Sequence, residues 1–132
     1  VPTHPIGELD EFLPGADYVA NILPANAASE RLFDAATFSK MREGALFMNI
    51  GRGTTVDQDA LLAALPRLAA AYLDVTDPEP LPKEHPLWRE PKVVITPHSA
   101  GGHRGEDVRL VRHFLANLAR FEAGETLMDR VM

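Results

Sequence analysis

The sequence predicts an α/β fold, a parallel sheet of about four strands with helices between them. Three observations carry this. Short stretches rich in apolar and β-branched residues recur at Tyr18–Leu23, Ala45–Ile50, Ala70–Val75 and Lys92–Thr96. Each is nearly continuous in its apolar character, the pattern of strands buried on both faces. Helical patterns lie between or around them, and alternation at these distances implies right-handed crossovers and a parallel sheet.

Taken in chain order, Ile6–Leu13 is a short helical segment that ends at Pro14-Gly15. After the first strand, Ser29–Met41 places Leu32, Phe33, Ala36 and Phe38 near helical spacing. After the second, Asp57–Leu65 is clearer: Asp57 can cap the helix, Asp59 sits in its first turn, and Leu61, Leu62 and Leu65 form an apolar stripe. The connection from Asp77 to Pro91 carries Pro78, Pro80, Pro82, Pro86 and Pro91, so an extended, ordered surface loop is expected. Long rigid loops in compact domains tend to be functional. A last helix is expected from about Glu106 to Glu122, with Val108, Val111, Leu115 and Leu118 on one face.

The bulk numbers bound the function. The 132 residues suffice for one domain. A net charge of −6 without clustered Lys and Arg argues against a nucleic-acid partner. No apolar run approaches the ~20 residues of a membrane span, so no membrane partner is expected. There is no cysteine, which excludes disulfides and thiolate metal sites and fits a cytoplasmic protein. His98 and His103 straddle a Gly-Gly turn without a zinc spacing, and the other histidines are scattered, so no metal is expected.

In open α/β sheets, ligands bind beyond the carboxyl ends of the strands. Directly after the four stretches come Pro24, Gly51-Arg52-Gly53, Asp74 through Glu79, and Pro97-His98. All of these land on one edge of the sheet. Glycines on both sides of Arg52 would let the backbone turn and approach a ligand, and a guanidinium matches a carboxylate. Alone, a surface arginine in a tight turn reads equally well. His98 follows a stiffening proline and could act as general acid/base, although a histidine at a strand end is more often structural. Glu79, held between Pro78 and Pro80, could orient that imidazole, or be only a solvated loop carboxylate.

Taken together, "ADYVANILPANAASERLFDAATFSKMREGALFMNIGRGTTVDQDALLAAL", "LDVTDPEPLP…HPLW" and "VVITPHSAGG" resemble the D-isomer-specific 2-hydroxyacid dehydrogenases, nearest to the glyoxylate/hydroxypyruvate reductase branch. The resemblance runs from about Leu9 to the C-terminus. It implies the second part of a Rossmann-type domain, in an oxidoreductase using NAD or NADP on a small 2-oxo or 2-hydroxy acid. It further implies that Arg52 grips the substrate carboxylate, His98 protonates the carbonyl oxygen and Glu79 pairs with His98. Asp74 would accept from the nicotinamide carboxamide, and Leu23, Pro24, Ile50, Gly51, Ala100 and Gly101 would line the cofactor together with Arg52 and His98. A homodimer is implied for the intact enzyme.

Three departures from the family pattern stand out. No GxGxxG occurs, so residues 1–132 are expected to be an incomplete NAD(P)-binding domain, a fragment with little activity alone. Its C-terminal helix and tail, from about 106 to 132, would then pack towards an absent substrate domain. The stretch "ALPRLAAAYLDV" is short and carries Pro66 where the family has glycine, and His103-Arg104 precede the last helix. The strand at Tyr18–Leu23 would lie at an exposed apolar edge. The rival class is a non-catalytic half-Rossmann binding domain that works through protein contacts.

Overall fold

A computed structural model describes residues 2–130. Two compact units are present, one ending at Ala100 and one beginning at Gly101. The first unit holds a four-stranded sheet in the order β1-β2-β3-β4: β1 (Tyr18–Asn21), β2 (Leu46–Asn49), β3 (Ala70–Leu73) and β4 (Val93–Ile95). Every neighbouring pair is parallel, as the crossover argument requires. The strands are a residue or two shorter at their ends than the apolar runs that encode them, because those runs continue into the turns beyond the sheet.

The expectation of strands buried on both faces is corrected. Phe47, Ala71 and Leu73 are fully buried, but their strand neighbours Leu46, Met48, Ala70 and Tyr72 are only half-buried. At the sheet margins Tyr18 and Val94 are exposed. Period-two alternation therefore governs β2 and β3 despite their continuous apolar sequence. The covered face carries the core, where Phe47 meets Phe33 and Phe38 at ring-centroid distances of 5.0 and 5.1 Å. Met41, Leu61, Leu65 and Leu68 complete that cluster. Strand β1 forms an outer edge, with Tyr18 and the following Ile22 exposed.

Short α1 (Leu9–Phe12) lies between single 3₁₀ turns and buries Leu13 behind it. The helix expected over Ser29–Met41 shortens to α2 (Ala35–Lys40). Asn26 Oδ1 accepts from the backbone of Ala28 and Ser29, a local turn that competes with helix. Arg31 takes a left-handed φ of 48°, and Phe33 bridges to Val56 in parallel fashion. Asp34 then starts the helix by accepting from Thr37 N at 2.8 Å, and that bond holds its carboxyl below the usual range.

Helix α3 (Gln58–Ala64) begins as its sequence predicts, with Asp57 accepting from Asp59 N and Ala60 N. At its other end Lys92 Nζ donates to the carbonyls of Leu65, Pro66 and Leu68, which fastens β4 to the end of α3. The proline-rich connection is less superficial than expected. It contains a 3₁₀ turn at Pro86–Arg89 and anchors itself through the buried Leu81 and Leu87.

The second unit consists mainly of α4 (Glu106–Glu122), with the predicted boundaries. Gly105 precedes it with φ 86°, a left-handed conformation that glycine adopts at little cost. Val108, Val111, Leu115 and Leu118 are all exposed on this unit. Among the described residues no helix is long and apolar enough to cross a membrane.

Candidate active site

Parallel strands deliver their carboxyl ends to one edge, so the segments after β1, β2, β3 and β4 gather there. Asp74, one residue beyond β3, is the most buried ionisable group of this edge, with 2% exposure. One carboxylate oxygen accepts from the Thr96 hydroxyl and from Ser99 N, the other from Ala100 N at 2.8 Å. Burial is the largest single influence on this carboxyl and pushes its pKa up. The Thr96, Ala100 and Ser99 hydrogen bonds and the nearby His98 together outweigh it, leaving a net shift downward. Asp74 thus stays ionised and ties down the turn that carries His98. The His98 backbone N–H adds a bond to the Asp74 carbonyl at 3.0 Å.

His98 sits at φ 51°, uncommon for a side chain of this size, and the strapped turn around it holds that conformation. Its Nδ1 lies 2.6 Å from Glu79 Oε1. An ionised carboxylate only accepts, so Nδ1 carries the hydrogen and Nε2 is the ring atom left to exchange a proton. Both side chains are partly open to solvent, at 46% and 41%.

Glu79 is held from behind by groups that the sequence does not advertise. Its second oxygen faces Thr76 N at 3.4 Å, and the Thr76 hydroxyl donates to the Pro78 carbonyl. Gln58, the first residue of α3, pairs with Asp77 in both directions: Nε2 donates to the Asp77 carbonyl at 2.6 Å and Asp77 N donates to Oε1 at 3.0 Å. Asp74, Thr76, Glu79 and His98 line a hollow of about 580 Å³, with Pro80, Leu81, Trp88, Ile95 and Pro97 as its apolar wall. The structure therefore brings Asp74, Glu79 and His98 together around one cavity.

Arg52 is not among the residues lining that hollow. It is exposed, with its Nη1 donating to the Gly51 carbonyl at 2.7 Å. The flanking glycines have a different reason from the one expected. Neither takes a left-handed φ. A Cβ on Gly51 would lie 2.5 Å from the Leu23 carbonyl oxygen, and one on Gly53 would lie 1.9 Å from that of Thr76. The clearance at both glycines is filled by the neighbouring strand exits, not left open for a ligand.

The remaining predicted residues of the first unit occupy the same edge or its margin. Leu23 is half-buried, whereas Pro24 and Ile50 are exposed, next to the exposed Ile22. Ala100 closes the first unit while Gly101 opens the second. Sequence reasoning missed Asn21, Asn49, Thr55, Gln58 and Thr96. The available signal was that two apolar strands, "YVAN" and "LFMN", both end in asparagine.

Comparison with known proteins gives a consistent picture. The family model described as D-isomer specific 2-hydroxyacid dehydrogenase, NAD binding domain, matches residues 3–100. Glyoxylate/hydroxypyruvate reductase A of Citrobacter koseri is 39% identical over 127 residues, covering 94% of this chain and 41% of that protein. Reductase B of the same organism is 48% identical over 93 residues, 69% of this chain and 29% of that one. A D-isomer specific 2-hydroxyacid dehydrogenase from Xanthobacter autotrophicus Py2, solved with NADPH and MES, superposes with a TM-score of 0.88 at 36% identity. That match covers 98% of this chain and 54% of the other. The NADPH-dependent glyoxylate/hydroxypyruvate reductase of Sinorhizobium meliloti, solved with NADP and sulfate, gives a TM-score of 0.87 at 34% identity. It covers 99% of this chain and 43% of the other. The chain spans about two fifths of the length of the full-length reductases it matches over most of its own residues. By this fold and this match, the chain belongs to the D-isomer-specific 2-hydroxyacid dehydrogenase family, with residues 3–100 matching that family's NAD-binding domain.

Proposed function

We propose that this chain is the acid/base-bearing part of an NAD(P)-dependent reductase of small 2-oxo acids, of the glyoxylate or hydroxypyruvate type. The observation that carries the reading is the His98–Glu79 pair, 2.6 Å apart at the carboxyl edge of the sheet, with Nε2 free of the pairing. Three tasks fall to the protein in such a reduction: orienting the substrate, neutralising its carboxylate and delivering a proton.

The edge fits the nicotinamide end of such a cofactor. Ile22, Pro24 and Ile50 expose apolar surface at the exits of β1 and β2, suited to the face of an aromatic ring. Asp74 Oδ2 accepts one hydrogen bond from the chain and retains capacity for an amide N–H. Leu23 and Gly51 follow β1 and β2, and Ala100 ends the segment that follows β4. The cofactor, when bound, supplies the hydride.

Arg52 pairs with the substrate carboxylate through its planar fork, which sets substrate orientation. His98 Nε2 gives its proton to the carbonyl oxygen as negative charge develops there, and Glu79 stabilises the imidazolium before transfer and fixes the ring throughout. The exposed apolar residues of α4 and of the open sheet face suit burial against further parts of a longer chain, with the helix and tail packing towards a substrate domain and the whole acting as a homodimer.

The test uses the full-length enzyme that carries this segment. NAD(P)H oxidation is followed with glyoxylate and with hydroxypyruvate. The His98→Asn variant is expected to lose about 10²–10⁴-fold in turnover while cofactor affinity stays the same. Unchanged turnover would overturn the acid/base role and favour the non-catalytic binding domain.

A further inference from the structure

Strands β1 and β2 end in register on two asparagines, Asn21 opposite Asn49, each with 1% exposure. Thr55, beyond Gly53, has none. These side chains form one closed network in which donors and acceptors match. Asn21 Nδ2 donates to Asn49 Oδ1 at 3.0 Å and to Thr55 Oγ1 at 2.6 Å. Asn49 Oδ1 also accepts from Gly51 N at 3.1 Å, and Asn21 Oδ1 accepts from Leu23 N at 3.1 Å. The free ends converge on a single atom, the Arg52 carbonyl oxygen. Asn49 Nδ2 reaches it at 3.0 Å and the Thr55 hydroxyl at 2.6 Å.

The directions are forced. Rotating the Asn49 amide by half a turn would set its NH₂ against the NH₂ of Asn21 and the N–H of Gly51 and leave the Arg52 carbonyl facing an acceptor. The Thr55 hydroxyl spends its one hydrogen on Arg52 and takes one from Asn21. The result is an exposed guanidinium on a backbone held by hydrogen bonds and close packing. Gly51 and Gly53 are wedged against the Leu23 and Thr76 backbones, and the carbonyl between them is held by buried donors.

We propose that Asn21, Asn49 and Thr55 are positioning residues that fix the Arg52 backbone and thereby set the affinity for the substrate carboxylate. The inference rests on the role of Arg52 proposed above. A mispositioned fork loses one of two parallel hydrogen bonds, a loss that falls on substrate binding and not on proton transfer or cofactor binding.

The experiment compares Thr55→Val, which keeps the shape and removes both hydrogen-bonding functions, with Thr55→Ser, which keeps the hydroxyl. Both are made in the full-length enzyme beside Arg52→Lys. Thr55→Val is expected to raise KM for the 2-oxo acid about tenfold, with KM for the cofactor unchanged and kcat within about twofold. Thr55→Ser is expected to restore the wild-type KM despite a lower melting temperature, a pattern that a merely structural role does not produce. Melting temperatures that fall in both variants while KM stays at the wild-type value would overturn the inference. If Thr55→Val does not fold, Thr55→Cys, a weaker donor, takes its place with an intermediate KM expected and an unchanged KM refuting. Arg52→Lys separates the two claims. A raised KM there with normal KM in Thr55→Val defeats only the positioning network, whereas an unchanged KM in Arg52→Lys defeats the Arg52 assignment and this inference with it.

Discussion

Adding one methyl group at Gly53 tests how tightly the site is built. A Cβ there would stand 1.9 Å from the Thr76 carbonyl oxygen, 2.1 Å from its carbon and 2.7 Å from Asp77 N. All three are backbone atoms, so no rotamer change relieves the clash. Opening the contact to ordinary distance requires the β3 exit to move by more than about 1 Å, and overpacking of this kind costs about 1–3 kcal/mol. The same movement reaches the site. Thr76 N faces Glu79 and the Thr76 hydroxyl holds Pro78, so the carboxylate behind His98 moves with it. A displacement of about 1 Å at a reacting group costs on the order of 10²-fold in rate. Gly53→Ala in the full-length enzyme is therefore expected to lower kcat with the 2-oxo acid about 10²-fold and to lower the melting temperature by several degrees. Gly15→Ala, where nothing lies within 4 Å, serves as the control and should change neither. Wild-type kcat and melting temperature in Gly53→Ala would refute the coupling of the Gly53–Thr76 contact to Glu79.

Three further outcomes follow from individual contacts. Asp74→Asn places an NH₂ group against one or more of the three donors around that position, so it should destabilise the fold by about 1.5–3 kcal/mol at neutral pH, read by chemical denaturation. Because the folded-state pKa of Asp74 lies below its ordinary 3.8, its stabilisation is complete above that value and is lost as pH falls through the folded value. The acid limb of the stability profile should accordingly be shallower in Asp74→Asn, and an identical limb would count against the assignment. Asp57→Ala removes the cap from Asp59 N and Ala60 N and the partner of Arg31, for a loss of about 1 kcal/mol in the same assay. Gln58→Ala cuts the reciprocal pair with Asp77 and should lower kcat several-fold with little change in stability, measured by steady-state kinetics beside a melt.

Local patterns read well from the sequence because their causes are local. The Asp57 cap, the span of α4 and the run of strand exits along one edge all depend on neighbouring residues and on the chain rules for parallel sheets. The pairing of Glu79 with His98 was one of two readings open from the strand exits and was singled out by resemblance, since it joins residues 19 apart across two strand exits. What stayed hidden depends on contacts between distant backbones. Gly51 and Gly53 look like ligand clearance until Leu23 and Thr76 are seen to occupy that space. Asn21 and Asn49 look like strand ends until register places them side by side. The missing half of the helix over Ser29–Met41 had the right apolar spacing, but Asn26 and Asp34 offered the backbone better partners than a helix would.

If the proposed acid/base role holds, Glu79 acts through His98 and has no separate role. A double-mutant cycle on kcat/KM in the full-length enzyme, with Glu79→Gln, His98→Asn and the pair, tests it most directly. Glu79→Gln is expected to lower kcat/KM substantially in the parent and hardly at all once His98 is replaced, as for residues that work as a unit. Losses that simply multiply in the double variant would contradict it.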